Sequence, residues 1–175
     1  RIFSDGDVID LEFEDKIEFI QNAGGVSLKK GPLLYALPIC EEKIILGLRD
    51  QKNESFPHYA LYPRSKWNYG IASLQETEPI FRRAAAVQEE PWRTGNSGLS
   101  IDVTAYSVPA WKLRSVNVFR ARKTPRGKGE LIRKKANFTP KVKCFSFAEA
   151  GDKECIRLVP YGTTCLRIAI FPMIK

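Results

Sequence analysis

Alternation of apolar and polar residues is the dominant pattern of this chain, and it predicts β-strands. It is clearest in "LSIDVTAY" at 99–106. Four apolar residues there would share one face of a strand: Leu99, Ile101, Val103 and Ala105. The same period of two is found in "VIDLEFE" (8–14), in "KCFSFA" (143–148) and in two closing segments, 154–159 and 164–170. We expect these segments to form strands with one buried face.

Two longer apolar stretches predict further strands. The stretch "GVSLKKGPLLYALPI" (25–39) reads as one long strand interrupted at Gly31 and Pro32, where a bulge or an edge position would tolerate the proline. "KIILGL" (43–48) reads as a short buried strand. No segment has a sustained helical stripe, and the helix-forming composition of 74–90 is interrupted by Pro79.

Roughly ten strands, separated by glycine and proline turns, predict an all-β fold. The expected architecture is an antiparallel β-sandwich of two packed sheets, jelly-roll-like in its strand number. Because the chain has no internal repeat and no linker-like segment, we expect residues 1–175 to form a single domain. A chain of 175 residues can bury a core of useful size.

The overall composition is that of a globular protein, with 43% hydrophobic and 27% charged residues. No apolar run approaches the ~20 residues that a membrane helix needs, so no membrane association is predicted. The chain starts at Arg1 in strand-like alternation, which we interpret as the start of a mature protein or of a domain cut from a longer one.

Positive charge is concentrated in one segment. The net charge is +8, and "RARKTPRGKGELIRKK" (120–135) has eight basic residues and one acidic residue, which is nearly the whole excess. Basic side chains in a Gly- and Pro-containing loop could bind phosphates, meet an acidic pectin-like polymer or simply face solvent. The candidate anion-contact residues are Arg120, Arg122, Lys123, Arg126 and Lys128. The absence of a helix-turn-helix, zinc-finger or RNP-type pattern argues against a nucleic-acid module.

The four cysteines have no spacing typical of a zinc knuckle or a redox pair. If 154–159 and 164–170 pair as a hairpin, with Cys155 opposite Ala169, then Cys155 and Cys165 lie roughly 13 Å apart along the sheet. A disulfide needs Cα atoms within about 7 Å, so we expect both to be free thiols. Cys40 and Cys144 are expected to be small core residues.

The sequence has few candidate catalytic residues. His58 is the sole histidine, and there is no Gly-x-Ser-x-Gly nucleophile elbow. One histidine and four scattered cysteines make no zinc motif. Adjacent carboxylate pairs read as solvated turn residues, because adjacency in sequence does not provide the separation of about 5 to 9.5 Å across a cleft that glycoside hydrolysis requires. We therefore predict no catalytic residue, no metal and no cofactor in this chain.

The segment "FPHYALYPRSKWNYG" (56–70) is rich in aromatic rings, with Arg64 and Lys66 among them. Aromatic faces stack on sugars or on bases, and the cations would hold carboxylates or phosphates. Alternatively, the rings cover one end of the sandwich or a domain interface, which is the interpretation we favour. The candidate carbohydrate- or interface-contact residues are Tyr59, Tyr62, Trp67, Tyr69 and Trp92, whereas Trp111 is expected in the core.

Six phrases occur along the chain in a characteristic order: "GGVSLKKGPLLYALPI" (24–39), "YPRSKWNYGI" (62–71), "PWR" (91–93), "VPAWKL" (108–113), "FTPKV" (138–142) and "IRLVPYGTTCLRIAIFP" (156–172). Together they resemble the region that follows the catalytic barrel in glycoside hydrolase family 127, the β-L-arabinofuranosidase-like proteins. The similarity covers nearly the whole chain. Each phrase is weak alone, but six in the right order and spacing form a fairly specific signal.

This resemblance implies a non-catalytic C-terminal β-sandwich module. In that family the catalytic site lies in an upstream (α/α)₆ barrel, where cysteine thiolates and a glutamate surround a zinc ion and one cysteine is the nucleophile. The expected partner is thus the barrel of the same polypeptide, and the cysteines of this chain receive no zinc role. The family places a cysteine nearer Gly162, whereas Thr163 and Thr164 precede Cys165 here, which favours a structural role for Cys165.

Other functions stay open at this point. One is a freestanding carbohydrate-binding module for plant cell-wall glycans, with Tyr59, Tyr62 and Trp67 as its platform. Another is a polyanion or nucleic-acid binder that uses the basic segment 120–135. An independent small enzyme has the least support. Localisation is undetermined, although the resemblance is compatible with a secreted or periplasmic parent protein in a bacterium that degrades polysaccharides.

Overall fold

Thirteen strands and one short helix make up the part of the chain that the computed structural model describes. The described residues are 2, 4–11, 14–45, 59–85, 89–93, 95, 97–123 and 129–175; at 45, 118–123 and 129–135 the description covers the backbone alone. In chain order the strands are β1 (Ile17–Asn22), β2 (Gly25–Lys30), β3 (Leu33–Pro38), β4 (Glu41–Ile45), β5 (Tyr59–Pro63), β6 (Tyr69–Gly70), β7 (Ile80–Arg83), β8 (Leu99–Ser107), β9 (Arg114–Lys123), β10 (Gly129–Phe138), β11 (Lys153–Pro160), β12 (Arg167–Ile168) and β13 (Phe171–Pro172). Helix α1 (Leu74–Thr77) follows β6, and a 3-10 turn (Tyr161–Thr163) follows β11. Within the described residues, no helix has the length and apolar character needed to cross a membrane.

Most of the strands belong to one sheet. Its order is β1-β2-β3-β11-β8-β6, with β12 added at β3, β13 at β2 and β7 at β8. Two separate two-stranded ribbons accompany it, β4–β5 and β9–β10. Every pair of these strands is antiparallel. The predicted antiparallel all-β fold is confirmed, while this pairing does not establish the finer prediction of a two-sheet sandwich.

The main core forms on the alternating face predicted for 99–106. Ile101, Val103 and Ala105 of β8 are buried and pack with apolar residues of β2, β3 and β11. A second cluster lies around Trp111, which is buried as predicted. Trp67 packs against both clusters and so connects them.

Residues 25–39 form a hairpin rather than one interrupted strand. β2 ends at Lys30, and this residue is paired with Leu33, the first residue of β3. The two residues between them form the turn. Gly31 has φ 54°, in the left-handed region that favours glycine, and Pro32 lies where no ladder N–H is needed. The prediction of a bulge or edge position is wrong, because Gly-Pro here reverses the chain.

The closing segments do not pair with each other as predicted. β11 pairs with β8 and, at its end, with β3. After the 3-10 turn, β12 pairs with β3 and β13 with β2. Both apolar segments therefore pair with strands that are far away in the sequence, and the predicted pairing of Cys155 with Ala169 is wrong. After the 3-10 turn, only 167–168 and 171–172 are strands, so the predicted strand 164–170 is reduced to two residues.

Two shorter strand predictions fail, and a third, 43–48, is right that residues 43–45 form a strand but wrong about burial at Ile44. Residues 8–11 form no strand, and Val8 and Leu11 are 80% and 77% exposed, since none of the described elements packs over them. Residues 143–148 contribute only a single bridge from Phe145. Ile44 ends up exposed in the β4–β5 ribbon rather than buried, since that ribbon stands apart from the main sheet. Residues 12–13 and 46–48 lie outside the described residues.

All four cysteines are free and exposed. Cys40 and Cys144 lie in connections between strands, so the expectation that they are core residues is wrong. Cys155 and Cys165 are free thiols as expected, although the hairpin used to argue this does not form.

The basic segment is mostly strand. Its two ends belong to β9 and β10, where Arg122 is paired with Glu130 and Arg120 with Ile132. The interpretation of 120–135 as a loop is therefore wrong for these positions. The many charged residues mask the strand pattern on both sides of the turn residues Pro125 and Gly127 in the sequence. The predicted contact residues Arg126 and Lys128 lie outside the described residues, as do the side chains of Arg120, Arg122 and Lys123.

Candidate functional site

The candidate site is a pocket of about 390 Å³ beside β5, which we call the aromatic pocket. β5 forms one wall and residues 166–168 around β12 form another. Leu113, just before β9, and Asn137 and Thr139, at the end of β10, complete the lining. Most of the residues that line it are apolar or aromatic. Tyr62 and Trp67 are its aromatic members, and its polar side chains are Asn137, Thr139 and Arg167.

Tyr62 is presented by a strand whose end is firmly held. After β5, the Arg64 N–H donates to the Cys40 carbonyl at 2.7 Å, and the Arg64 guanidinium pairs with Glu42. The Cys40 N–H donates to Ser65 Oγ at 2.9 Å. The ring of Tyr62 is 45% exposed, so one part packs against the protein and another part is available to a ligand or partner.

Trp67 has a different position in the same pocket. It is half-buried, and its ring meets Trp111 edge to face at a centroid distance of 5.1 Å and an angle of 67°. It also packs against both core clusters. Trp67 is thus a core residue that also forms part of the pocket wall, so its loss would damage the fold together with any site.

Arg167 brings a fixed positive charge to the pocket wall. Its Nη1 donates to the carbonyls of Thr164 and Cys165, the latter at 3.0 Å. Its guanidinium carbon lies 3.7 Å from the ring centroid of Tyr161, close enough for a cation–π contact. These contacts hold the guanidinium in one place and are not visible in the sequence pattern.

The other predicted contact residues lie elsewhere. Tyr69 is buried and its hydroxyl donates to Glu154 at 2.8 Å; burial and this carboxylate raise the pKa of Tyr69 to about 12. Tyr59 is exposed, with Lys43 Nζ 3.7 Å from its ring centroid. Trp92 is exposed beside Gly162. None of these three lines the aromatic pocket.

The fold therefore unites Tyr62 and Trp67 and adds residues that the sequence reading missed: Leu113, Asn137, Thr139 and Arg167. The sole signal for them was that they lie in, or next to, the last three family-like phrases. His58 lies outside the described residues. Among the described residues, no three His, Cys, Asp or Glu side chains are placed to hold a metal ion.

The lining of the aromatic pocket suits binding. Apolar and aromatic walls with a few polar groups are typical of sites for small ligands or for a partner's side chains. The residues that line it include no carboxylate, histidine or cysteine that could act as an acid, base or nucleophile. Comparisons with protein-family models, curated proteins and solved structures give no significant match.

Proposed function

We propose that this chain is a non-catalytic β-module of a β-L-arabinofuranosidase-like glycoside hydrolase and that it docks on the catalytic barrel of the same polypeptide. The observation that carries the proposal is the exposed apolar surface around the aromatic pocket. Leu61 and Leu113 both line that pocket and are exposed. Contiguous exposed apolar surface of this kind marks interaction sites.

The two ribbons strengthen the case for a docking partner. A two-stranded ribbon is marginally stable unless something packs on it. Among the described residues, β4–β5 and β9–β10 pair with no other strand. Ile44 and Val116 consequently remain exposed on them. A partner surface would bury these side chains and stabilise both ribbons.

The family-like phrases meet in the core, which supports a structural explanation of the resemblance. Trp67 of "YPRSKWNYGI" packs edge to face against Trp111 of "VPAWKL". Asn68 and Val108 of the same two phrases exchange hydrogen bonds, from Asn68 Nδ2 to the Val108 carbonyl at 2.9 Å and from the Val108 N–H to the Asn68 carbonyl at 2.7 Å. These residues build the module, so the resemblance is compatible with a role outside catalysis.

The test is association with the polypeptide encoded upstream of this chain, expressed separately and mixed with it in sedimentation-velocity runs. We expect a saturable one-to-one complex. Leu61→Asp should weaken it at least about tenfold, because a charge would be buried against the partner. Ile80→Asp, on an exposed apolar position of β7, is the control and should have no effect. A native gene product near 19.8 kDa, or a complex indifferent to Leu61→Asp, would contradict the proposal.

The aromatic pocket favours a second candidate function, carbohydrate binding. The exposed part of the Tyr62 ring can stack on the apolar face of a sugar. Arg167 lines another wall of the same pocket, where its charge favours hydroxyl or carboxylate oxygens. This combination fits neutral arabinans or acidic pectic fragments.

Titration of the isolated chain with arabinan and pectic oligosaccharides, followed by calorimetry, tests this second function. Tyr62→Ala should abolish binding and Tyr62→Phe should retain it, because stacking needs the ring and not the hydroxyl. Trp92→Ala is the matched control, since Trp92 is an exposed aromatic residue outside the pocket. Affinity that survives Tyr62→Ala would place the sugar elsewhere, and no saturable binding would remove this function.

A further inference from the structure

Cys40 and Cys165 are far apart in the sequence but are neighbours in the fold. Both line a second pocket, of about 350 Å³, between the end of β3 and the closing segment. Both are free and exposed. The family-like docking role makes no use of either residue.

The strand register explains why they meet. β12 pairs antiparallel with the last residues of β3. The same register continues beyond the strand ends, because the Ile39 N–H donates to the Leu166 carbonyl at 2.9 Å. The Leu166 N–H does not donate back to Ile39 but to Glu41 Oε2 at 3.0 Å, so a single ladder bond is made here. Extended by one more residue, the register of β3 and β12 sets Cys40 opposite Cys165 at a non-hydrogen-bonded position, with Cys165 in the bend just before β12.

Such a position suits a disulfide. Residues in a non-hydrogen-bonded antiparallel pair have Cα atoms about 4.5 Å apart and side chains on the same face. Disulfides are found at Cα separations of about 4.4 to 6.8 Å. The shared pocket agrees with side chains on one face. The sequence pattern predicts that 164–170, which contains Cys165, pairs with 154–159. In the structure β12 pairs with β3 instead, and Cys40 follows the end of β3.

Hydrogen bonds hold the backbone at both positions. The Cys40 N–H donates to Ser65 Oγ at 2.9 Å, and the Cys40 carbonyl accepts from the Arg64 N–H at 2.7 Å. The Cys165 carbonyl accepts from Arg167 Nη1 at 3.0 Å. The backbone at both cysteines is therefore anchored by hydrogen bonds.

The other two cysteines have different neighbours. Cys155 on β11 is paired with Thr104 of β8. Cys144 Sγ lies 4.0 Å from the Gly24 carbonyl oxygen. Neither has a cysteine opposite it, so these two residues serve as internal controls.

We propose that Cys40 and Cys165 are a reversible dithiol–disulfide pair, closed by exchange with a small disulfide of the glutathione type. The thiolate of one cysteine attacks the small disulfide and releases one thiol, which leaves a mixed disulfide. The thiolate of the other cysteine then displaces the second thiol and forms the Cys40–Cys165 bond. The pair loses two electrons and two protons, and the small disulfide gains them. The bond fastens the closing segment to β3.

The experiment is incubation of the chain with oxidised glutathione, an acid quench, intact mass measurement and a non-reducing tryptic digest. We expect a loss of about 2 Da, disappearance of half of the thiols and one cross-linked species that joins peptides 31–43 and 158–167. The assignment is unambiguous, because the four cysteines lie on four different tryptic peptides.

Variants separate this pair from general thiol reactivity. Combined Cys144→Ser and Cys155→Ser should keep the cross-link and a higher melting temperature in the oxidised form. Cys40→Ser or Cys165→Ser should abolish both and leave a glutathione adduct on the remaining cysteine. The proposal is overturned by another intramolecular pairing, by intermolecular disulfides alone, or by an unlinked pair under conditions that glutathionylate Cys155.

Discussion

At the scale of single residues, Asp102 connects three strands. It lies on β8 and is only 8% exposed. Arg157, its direct cross-strand partner on β11, donates to it from Nε at 2.7 Å and from Nη2 at 3.1 Å. Arg82 of β7 pairs with the same carboxylate. Hydrogen bonds from Arg157 and then Arg82 lower the pKa of Asp102 to about 2.

We predict that Asp102 makes the protein acid-sensitive. In the unfolded chain the Asp102 carboxyl has a pKa of about 3.9, so the unfolded state binds the proton first as the pH falls. The stabilisation is present above about pH 4 and is lost as the pH falls towards the folded value of about 2. We expect about 1 kcal/mol, because both arginines are more than half exposed and solvent screens the pair.

Urea denaturation of the wild type and of Asp102→Asn checks this. The variant should be less stable than the wild type at neutral pH. The free energies of unfolding of the two proteins should become equal at about pH 2. A difference that stays constant over the whole pH range would show that the loss of Asp102 acts by packing rather than by charge.

At the scale of elements, the start of β2 depends on a glycine for reasons of space. Gly25 is paired with Pro172 of β13, so the closing strand passes directly beside it. A Cβ at Gly25 would lie 2.6 Å from the Phe171 carbonyl oxygen and 2.5 Å from Val142 Cγ1. A backbone atom cannot yield as a flexible side chain can, so the close approach requires glycine.

Gly25→Ala should therefore destabilise the fold by about 1–3 kcal/mol, the usual cost of overpacking. The matched control is Gly162→Ala, where the nearest atom is Trp92 Cε3 at 3.9 Å and the change should stay within about 0.5 kcal/mol. Urea unfolding of both variants is the measurement. Equal effects at the two sites would mean that β13 does not pack on β2 this closely.

At the scale of the whole molecule, the last five residues join the two core clusters. Phe171 is fully buried in the main cluster and Ile174 is buried in the second. The Ile71 N–H donates to the Pro172 carbonyl at 2.9 Å, and the Phe145 N–H donates to the Met173 carbonyl at 2.8 Å. The end of the chain is thus an integral part of the interior.

A chain that ends at Ile170 should lose its cooperative fold. Removal of a buried phenylalanine side chain alone costs about 3–5 kcal/mol, against a total stability of about 5–15 kcal/mol for a typical protein. Near-UV circular dichroism and urea unfolding are the measurements. The full chain with Ile170→Ala, at an exposed position, is the control and should unfold much as the wild type does. A cooperative transition in the shortened chain would contradict this role.

The sequence by itself determined the strand character, the antiparallel all-β class, the buried face of β8 and the burial of Trp111. These follow from local patterns, since a period of two and a bulky apolar residue have the same meaning wherever the strand pairs. The single-domain prediction for residues 1–175 rests on the same kind of evidence and stays a prediction.

Tertiary structure alone decided which strands pair, and with them the candidate sites. The closing segments pair with β8 and β3 rather than with each other, which brings Cys165 and Cys40 to one pocket and Arg167 to the pocket that Tyr62 and Trp67 line. The physical reason is that register between distant strands is selected by burial and shape summed over the whole fold. An apolar segment can be buried equally well by several strands, so its own residues do not determine which strand it pairs with.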